Sequence, residues 1–317
     1  MRIGYFLTCE DNGPAELLDI AARAEDAGMT DLWISDHFHP WIDRQGQSPF
    51  VWSMIGALAA RSSGDLRVTT AVTCPTFRIH PAIIAQAAAT SACLLDGRFL
   101  LGIGSGENLN EHILGQHWPP TEIRLEMLEE AVDVMRKLWA GDIVTHRGTY
   151  YTVENARIYS LPAEPPPILV SAFGPRAAET AARIGDGFVS TKPDKEVLGI
   201  YRANGGKGVA QAGVKFCYGE SESDAAKLAY EIWPTSGVGG ELSQELPMPA
   251  HFEQAAELVT PEELARKIVC GNDPERFAET VREYEEAGFD ELYVSQIGPD
   301  VDGFLRFWTE RVTPLLD

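Results

Sequence analysis

Short apolar runs bounded by turn residues recur along the chain and read as strands: Met1 to Leu7, Asp31 to Ile34, Leu66 to Val72, Phe99 to Ile103, Pro167 to Ser171, Gly187 to Ser190, Val214 to Tyr218 and Glu291 to Ser295. Between several of them apolar residues fall at helical spacing. Leu17, Ile20, Ala21 and Ala24 follow i, i+3, i+4, i+7, as do Phe277, Thr280, Val281 and Tyr284. The clearest helix runs from Thr121 to Ala140, with Leu125, Leu128, Val132, Met135 and Leu138 on one face and Gly141 ending it. Val144 to Ile158 reads as a β-hairpin around Arg147-Gly148. Ser190 to Gly213 and Trp233 to Val259 show weak periodicity with glycine and proline clusters, which predicts long loops over a binding site.

The segment Ala27-Gly28-Met29-Thr30-Asp31-Leu32-Trp33-Ile34-Ser35 is echoed by Ala287-Gly288-Phe289-Asp290-Glu291-Leu292-Tyr293-Val294-Ser295. Each copy reads as a helix end, a glycine cap and a strand. Two such copies at opposite ends suit a closed α/β barrel in which first and last strands become neighbours, although coincidence within a common αβ pattern is the competing reading. Barrels of this kind exceed 250 residues as one domain, so the 317 residues are read as a single domain spanning 1–317.

Composition narrows the function. The chain is 44% hydrophobic and 23% charged, enough apolar residue to bury a large core. No apolar run reaches about 18 residues, and the first seven residues read as a strand, not a signal peptide, which leads us to expect a cytoplasmic protein without a membrane partner. A net charge of −21 disfavours nucleic acid and anionic membranes. Cys9, Cys74, Cys93, Cys217 and Cys270 lack CxxC spacing and read as free thiols, mostly buried; no metal site is expected.

The candidate chemistry clusters where strands end. Ser35-Asp36-His37-Phe38-His39-Pro40-Trp41 sets an acid, two imidazoles and an indole directly after a strand, with Pro40 stopping further ladder pairing. An imidazole beside a carboxylate can move a proton at neutral pH, and a surface ion pair is the alternative use of the same residues. Leu101 to Glu107 ends another strand in alternating glycines, which would let backbone approach a flat ligand with free amides; Glu107, Asn110 and Glu111 follow. Glu107 is read either as an acid on that rim or as a surface cap. Ala71 to Arg78 and Ile168 to Arg176 end two more strands, and Pro175 at a helix start is a common anion cradle.

Together, Ser35 to Trp41, Thr73-Cys74-Pro75-Thr76-Phe77-Arg78 with Pro81 to Gln86, Gly104-Ser105-Gly106-Glu107 with Asn110-Glu111, and Gly185-Asp186-Gly187-Phe188 resemble the luciferase-like flavin and deazaflavin oxidoreductases. Within them the chain is similar to the coenzyme F420-dependent dehydrogenases. The resemblance implies a TIM (β/α)8 barrel, with the deazaflavin at its carboxyl-terminal mouth and FMN as the less favoured cofactor, and a homodimer. It implies His37 as the base toward a substrate hydroxyl, Glu107 as the acid toward the reduced ring, Trp41 over the transition state, and Asp36 contacting the cofactor and tuning His37. Cys74, Gly106, Asn110, Phe173, Gly174, Pro175, Arg176 and Ala177 match cofactor-contacting positions, and Ala71-Val72 matches a cis peptide behind the ring. Hydride transfer to deazaflavin then needs only an aligned carbinol with an acid and a base.

For substrate, the resemblance points to Trp41, Thr191, Lys192, Lys195 and Lys267. The positions that hold a sugar phosphate in the glucose-6-phosphate branch align with Asp194, Ser243 and Lys267, so one charge is kept, one lost and one displaced. Phe38 to Trp41 is similar to the secondary alcohol branch. The expected reaction is therefore hydride transfer from a CH–OH substrate (a sugar, sugar phosphate or secondary alcohol) to F420. A reductase using reduced F420, an FMN monooxygenase and a non-catalytic flavin-binding barrel are the alternatives.

Overall fold

The computed structural model describes residues 1–62 and 64–316. Its first half runs β1 (Arg2–Leu7), α1 (Pro14–Asp26), β2 (Asp31–Ile34), α2 (Val51–Arg61), β3 (Arg67–Thr70), α3 (Pro81–Leu94), β4 (Phe99–Ile103), α4 (Asn108–Glu111) and α5 (Thr121–Trp139). A hairpin, β5 (Val144–Arg147) and β6 (Thr152–Ala156), precedes β7 (Ile168–Ser171), α6 (Pro175–Ile184), β8 (Gly187–Ser190), α7 (Lys195–Ala203) and β9 (Ala210–Tyr218). The remainder is α8 (Glu222–Ile232), α9 (Leu242–Glu245), α10 (Pro249–Ala256), α11 (Pro261–Leu264), β10 (Val269–Gly271), α12 (Pro274–Ala287), β11 (Glu291–Gln296) and α13 (Val301–Phe307).

Eight parallel strands close in the order β1-β2-β3-β4-β7-β8-β9-β11, with β11 pairing back onto β1 and β10 added outside β9. This is the expected TIM barrel. First and last strands are neighbours, and Gly28 and Gly288, at φ +87° and +99°, turn the chain from helix into strand in both copies of the echo. The copies also meet inside the barrel. Trp33 stacks on Tyr293 with ring centroids 4.8 Å apart, while Asp31 and Glu291 both bind Arg67 from β3. Phe6, Leu100, Leu169 and Val189 fill the rest of that interior, and the apolar faces of the helices pack outside the strands.

Three expectations change. Ser190 to Gly213 is not a mouth loop: Asp194 accepts hydrogen bonds from the amides of Glu196 and Val197, capping α7, whose buried Val197, Leu198 and Tyr201 make it a regular outer helix. β9 accordingly starts at Ala210, four residues before the apolar run suggested. β3 ends at Thr70, and the peptide Ala71-Val72 that follows is cis. By contrast, Trp233 to Val259 does lie over the mouth, folded as a 3-10 turn, α9 and α10. Cys93 is exposed and the other four thiols are buried and free. Among the described residues no helix is long and apolar enough to cross a membrane, and no group of three potential metal ligands occurs.

Candidate active site

The segments after the carboxyl ends of β1, β2 and β4 converge on His37. Its Nδ1 lies 3.3 Å from the His39 carbonyl, an acceptor only, so the neutral ring keeps its proton there and presents a free Nε2. That nitrogen is 3.5 Å from Glu10 Oε1 and 3.7 Å from Glu107 Oε2. Glu10 is buried and fixed by the Ser35 hydroxyl at 2.9 Å; burial in the mouth pushes the Glu107 carboxyl upward, with the nearby imidazole opposing. The Trp41 ring stands 5.0 Å from the imidazole and is held by Phe252 of α10 at 5.1 Å and by Gln45, which accepts from its amide. One face of this site is therefore an imidazole with a free lone pair, two carboxylates and an indole wall.

Asp36 faces elsewhere. It accepts from the Thr73 hydroxyl and from Arg78, both at 2.7 Å, and Arg78 in turn meets Glu111, whose backbone partner is the Arg78 amide at 2.9 Å. Burial raises Glu111 to about 7. The carboxylates that face His37 Nε2 are thus Glu10 and Glu107. Asn110 joins the two strand ends: its Oδ1 accepts from the Phe38 and His39 amides at 2.9 and 3.0 Å, and its Nδ2 donates to Glu107 at 3.3 Å. His39, the second imidazole, is engaged at 2.9 Å by the Leu109 carbonyl and supports the turn.

The glycines of β4 serve the protein's own backbone first. A Cβ on Gly102 would strike the Thr70 carbonyl at 1.9 Å, and the Gly104 amide is already donated to Thr73. Gly106 takes φ +85°, with Cys74 and Trp118 crowding the place of a side chain. Cys74 is buried against Thr76 at 2.8 Å; burial pushes its thiol well up, with the Thr76 hydrogen bond opposing. Further round the rim, Gly174 caps α6 without a side-chain hydrogen bond, and nothing stands within 4 Å of where its Cβ would be. Pro175 opens the helix and leaves the Arg176 and Ala177 amides in the uncapped first turn. This open, amide-lined end suits an anionic cofactor tail. Phe173 is half exposed beside it, and Arg176 pairs with Glu122.

The residues read as substrate contacts lie on the β8–α7 side. Thr191, Lys192 and Lys195 are exposed, with Lys192 Nζ 6.0 Å above the Phe173 ring. Lys267 donates to the Gly237 carbonyl at 3.0 Å and lines a cavity with Pro193, Arg266 and Arg276. Asp194 is occupied as the α7 cap, and Ser243 donates to Gly240. Sequence reasoning missed Glu10, 3.5 Å from His37, and two further charged groups around Trp233. Asp11 accepts from Thr8 at 2.6 Å and from Trp233 Nε1 at 2.9 Å, and burial raises it to about 6. Lys215, from β9, lies over the Phe6 and Trp233 rings. Asp11 follows β1 and Lys215 lies within β9, which was the available signal; neither sits in a recognisable motif.

Known proteins resemble this chain along its whole length. The model of the luciferase-like monooxygenase family matches residues 1–291. The chain is 34% identical to an F420-dependent glucose-6-phosphate dehydrogenase of Microbacterium testaceum, covering 100% of this chain and 97% of that protein. It is 36% identical to one from Kribbella flavida, covering 100% and 98%. Among solved structures, an F420-dependent secondary alcohol dehydrogenase in complex with an F420-acetone adduct superimposes with a TM-score of 0.92 at 28% identity, covering 100% of this chain and 99% of the other.

Proposed function

Because the chain belongs to the luciferase-like family, whose F420-dependent dehydrogenases it matches along its whole length, we propose that it oxidises a CH–OH substrate with coenzyme F420. The observation that carries this is His37 Nε2, which faces two carboxylates at 3.5 and 3.7 Å while Nδ1 is engaged by the His39 carbonyl. Bound at the mouth, the deazaflavin supplies a carbon that accepts hydride. His37 takes the hydroxyl proton at Nε2, and Glu10 stabilises the imidazolium that results. Glu107, its proton affinity raised by burial and opposed by the nearby imidazole, stands beside His37 in the same pocket as the candidate acid toward the ring. Trp41 excludes water from the reacting carbinol. Asp36, Ala71, Val72, Cys74, Gly106 and Asn110 form the cofactor's wall, and the α6 start from Phe173 to Ala177 receives its anionic end. Thr191, Lys192, Lys195 and Lys267 form the outer substrate rim.

The same reading makes the protein a cytoplasmic homodimer. Its five free thiols suit a reducing compartment. The groove between α2 and α3, flanked by Ile83 and Leu94, each 56% exposed, suits a second copy. The decisive experiment is incubation with F420 and, separately, FMN, followed by loss of the deazaflavin absorbance over a panel of alcohols, sugars and sugar phosphates. Failure to bind F420 would overturn the reading.

A further inference from the structure

Lys215 is a cation that the proposed reaction leaves without a task. Gln211, Gly213 and Lys215 alternate along β9 onto the barrel's inner face: Gln211 accepts from Trp33 Nε1 at 2.7 Å, and a Cβ on Gly213 would strike the Trp33 ring at 2.4 Å. Lys215 is the next inward position, one layer nearer the mouth. Its Nζ lies 4.1 Å from the Trp233 ring centroid and 5.1 Å from that of Phe6. Among the described residues it makes no hydrogen bond and no ion pair. Glu10, Asp11 and Glu107 act on it only through their fields, and burial lowers its proton affinity. A lysine serving merely as a counter-ion would close on one of those carboxylates. This one rests its charge on two aromatic faces and keeps its N–H donors unused.

Its place also separates it from the cofactor wall. β9 is four strands round the eight-stranded barrel from β3, which leads into Ala71 and Val72, and it lies on the side of Trp41 and Trp233. The three surrounding carboxylates repel a substrate anion and favour a neutral oxygen as the acceptor. We infer that Lys215 is a specificity-determining residue that donates to a hydroxyl on the carbon next to the reacting carbinol, selecting vicinally oxygenated substrates over monofunctional alcohols. This rests on the dehydrogenase reading above.

The test compares propane-1,2-diol and glucose with propan-2-ol as hydride donors to F420, for the wild type, Lys215→Met, which keeps the packing length, and Lys215→Gln, which keeps a neutral donor. In the wild type, kcat/KM should favour the vicinal oxygen, and Lys215→Met should cut that preference about 30-fold, the scale of one charge-assisted hydrogen bond, with Lys215→Gln between them. A wild type without the preference, or a Lys215→Met variant that retains it, overturns the proposal. Saturation-transfer NMR of glucose on the cofactor-free protein gives a second readout. If F420 does not bind but glucose does so in a Lys215-dependent way, the dehydrogenase reading falls and the subsite stands. If F420 is reduced while glucose binding ignores Lys215, the reverse holds.

Discussion

An imidazole can serve as a base only if one nitrogen stays free, and the His39 carbonyl settles which one by claiming the other. Replacing His37 with Ala, or Glu107 with Gln, should lower kcat by about 100-fold or more, the usual worth of a positioned acid or base; turnover near the wild-type value in either variant would remove that residue from the chemistry. Asp11 gives a stability prediction with a definite sign. Its folded value of about 6 lies above the ordinary 3.8, so the native state binds the proton more tightly than the unfolded chain. Stability should therefore fall as pH rises between those values, and an Asp11→Asn variant should lose that part of the slope in urea melts at pH 4 and 7. His37, Glu107 and Trp41 were legible because they sit in recognisable runs. Glu10, Asp11 and Lys215 were not, since the first two follow an ordinary strand and the third lies within one, outside any motif, and only barrel closure brings them together.

At the level of elements, α9 ties the segment from Trp233 to Val259 to the β4–α5 region. Glu245 of α9 accepts from Trp118 Nε1 at 3.3 Å and from the buried Arg124 of α5 at 3.1 Å, while its carbonyl receives Asn108 at 2.8 Å. Glu245→Ala leaves Arg124 short of a charged partner, at a cost of about 1–3 kcal/mol. We expect faster proteolytic cleavage within 233–259 and a raised KM; an unchanged cleavage rate would show that α9 is held by other contacts. Strong periodicity made α1, α5 and α12 readable in advance. α7 was missed because Pro193 precedes it, Gly199 interrupts it and Gly205, Gly206 and Gly208 follow it, and its cap, Asp194, aligns with a phosphate-binding position. The extra strand β10, three residues long, carries too little pattern to distinguish it from a turn.

For the whole molecule, barrel closure follows from the eight apolar runs, and the echo acquires a structural meaning when Arg67 and the Trp33–Tyr293 stack join its two copies. Assembly is a surface property and was accessible only through the family resemblance. Ile83→Glu places a charge in the α2–α3 groove and should shift sedimentation from dimer to monomer; a wild type that sediments as a monomer would overturn the assembly. The distribution of the seven tryptophans has an optical consequence. Trp41 stands beside His37, Trp118 beside Gly106 and Trp233 beside Lys215, whereas Trp33 lies deep in the barrel and Trp139 and Trp308 pack outside it. A light-absorbing planar ligand entering the mouth should quench the first three most strongly and leave the outer indoles as an internal reference, so filling of the site can be followed as dimming emission before any hydride moves.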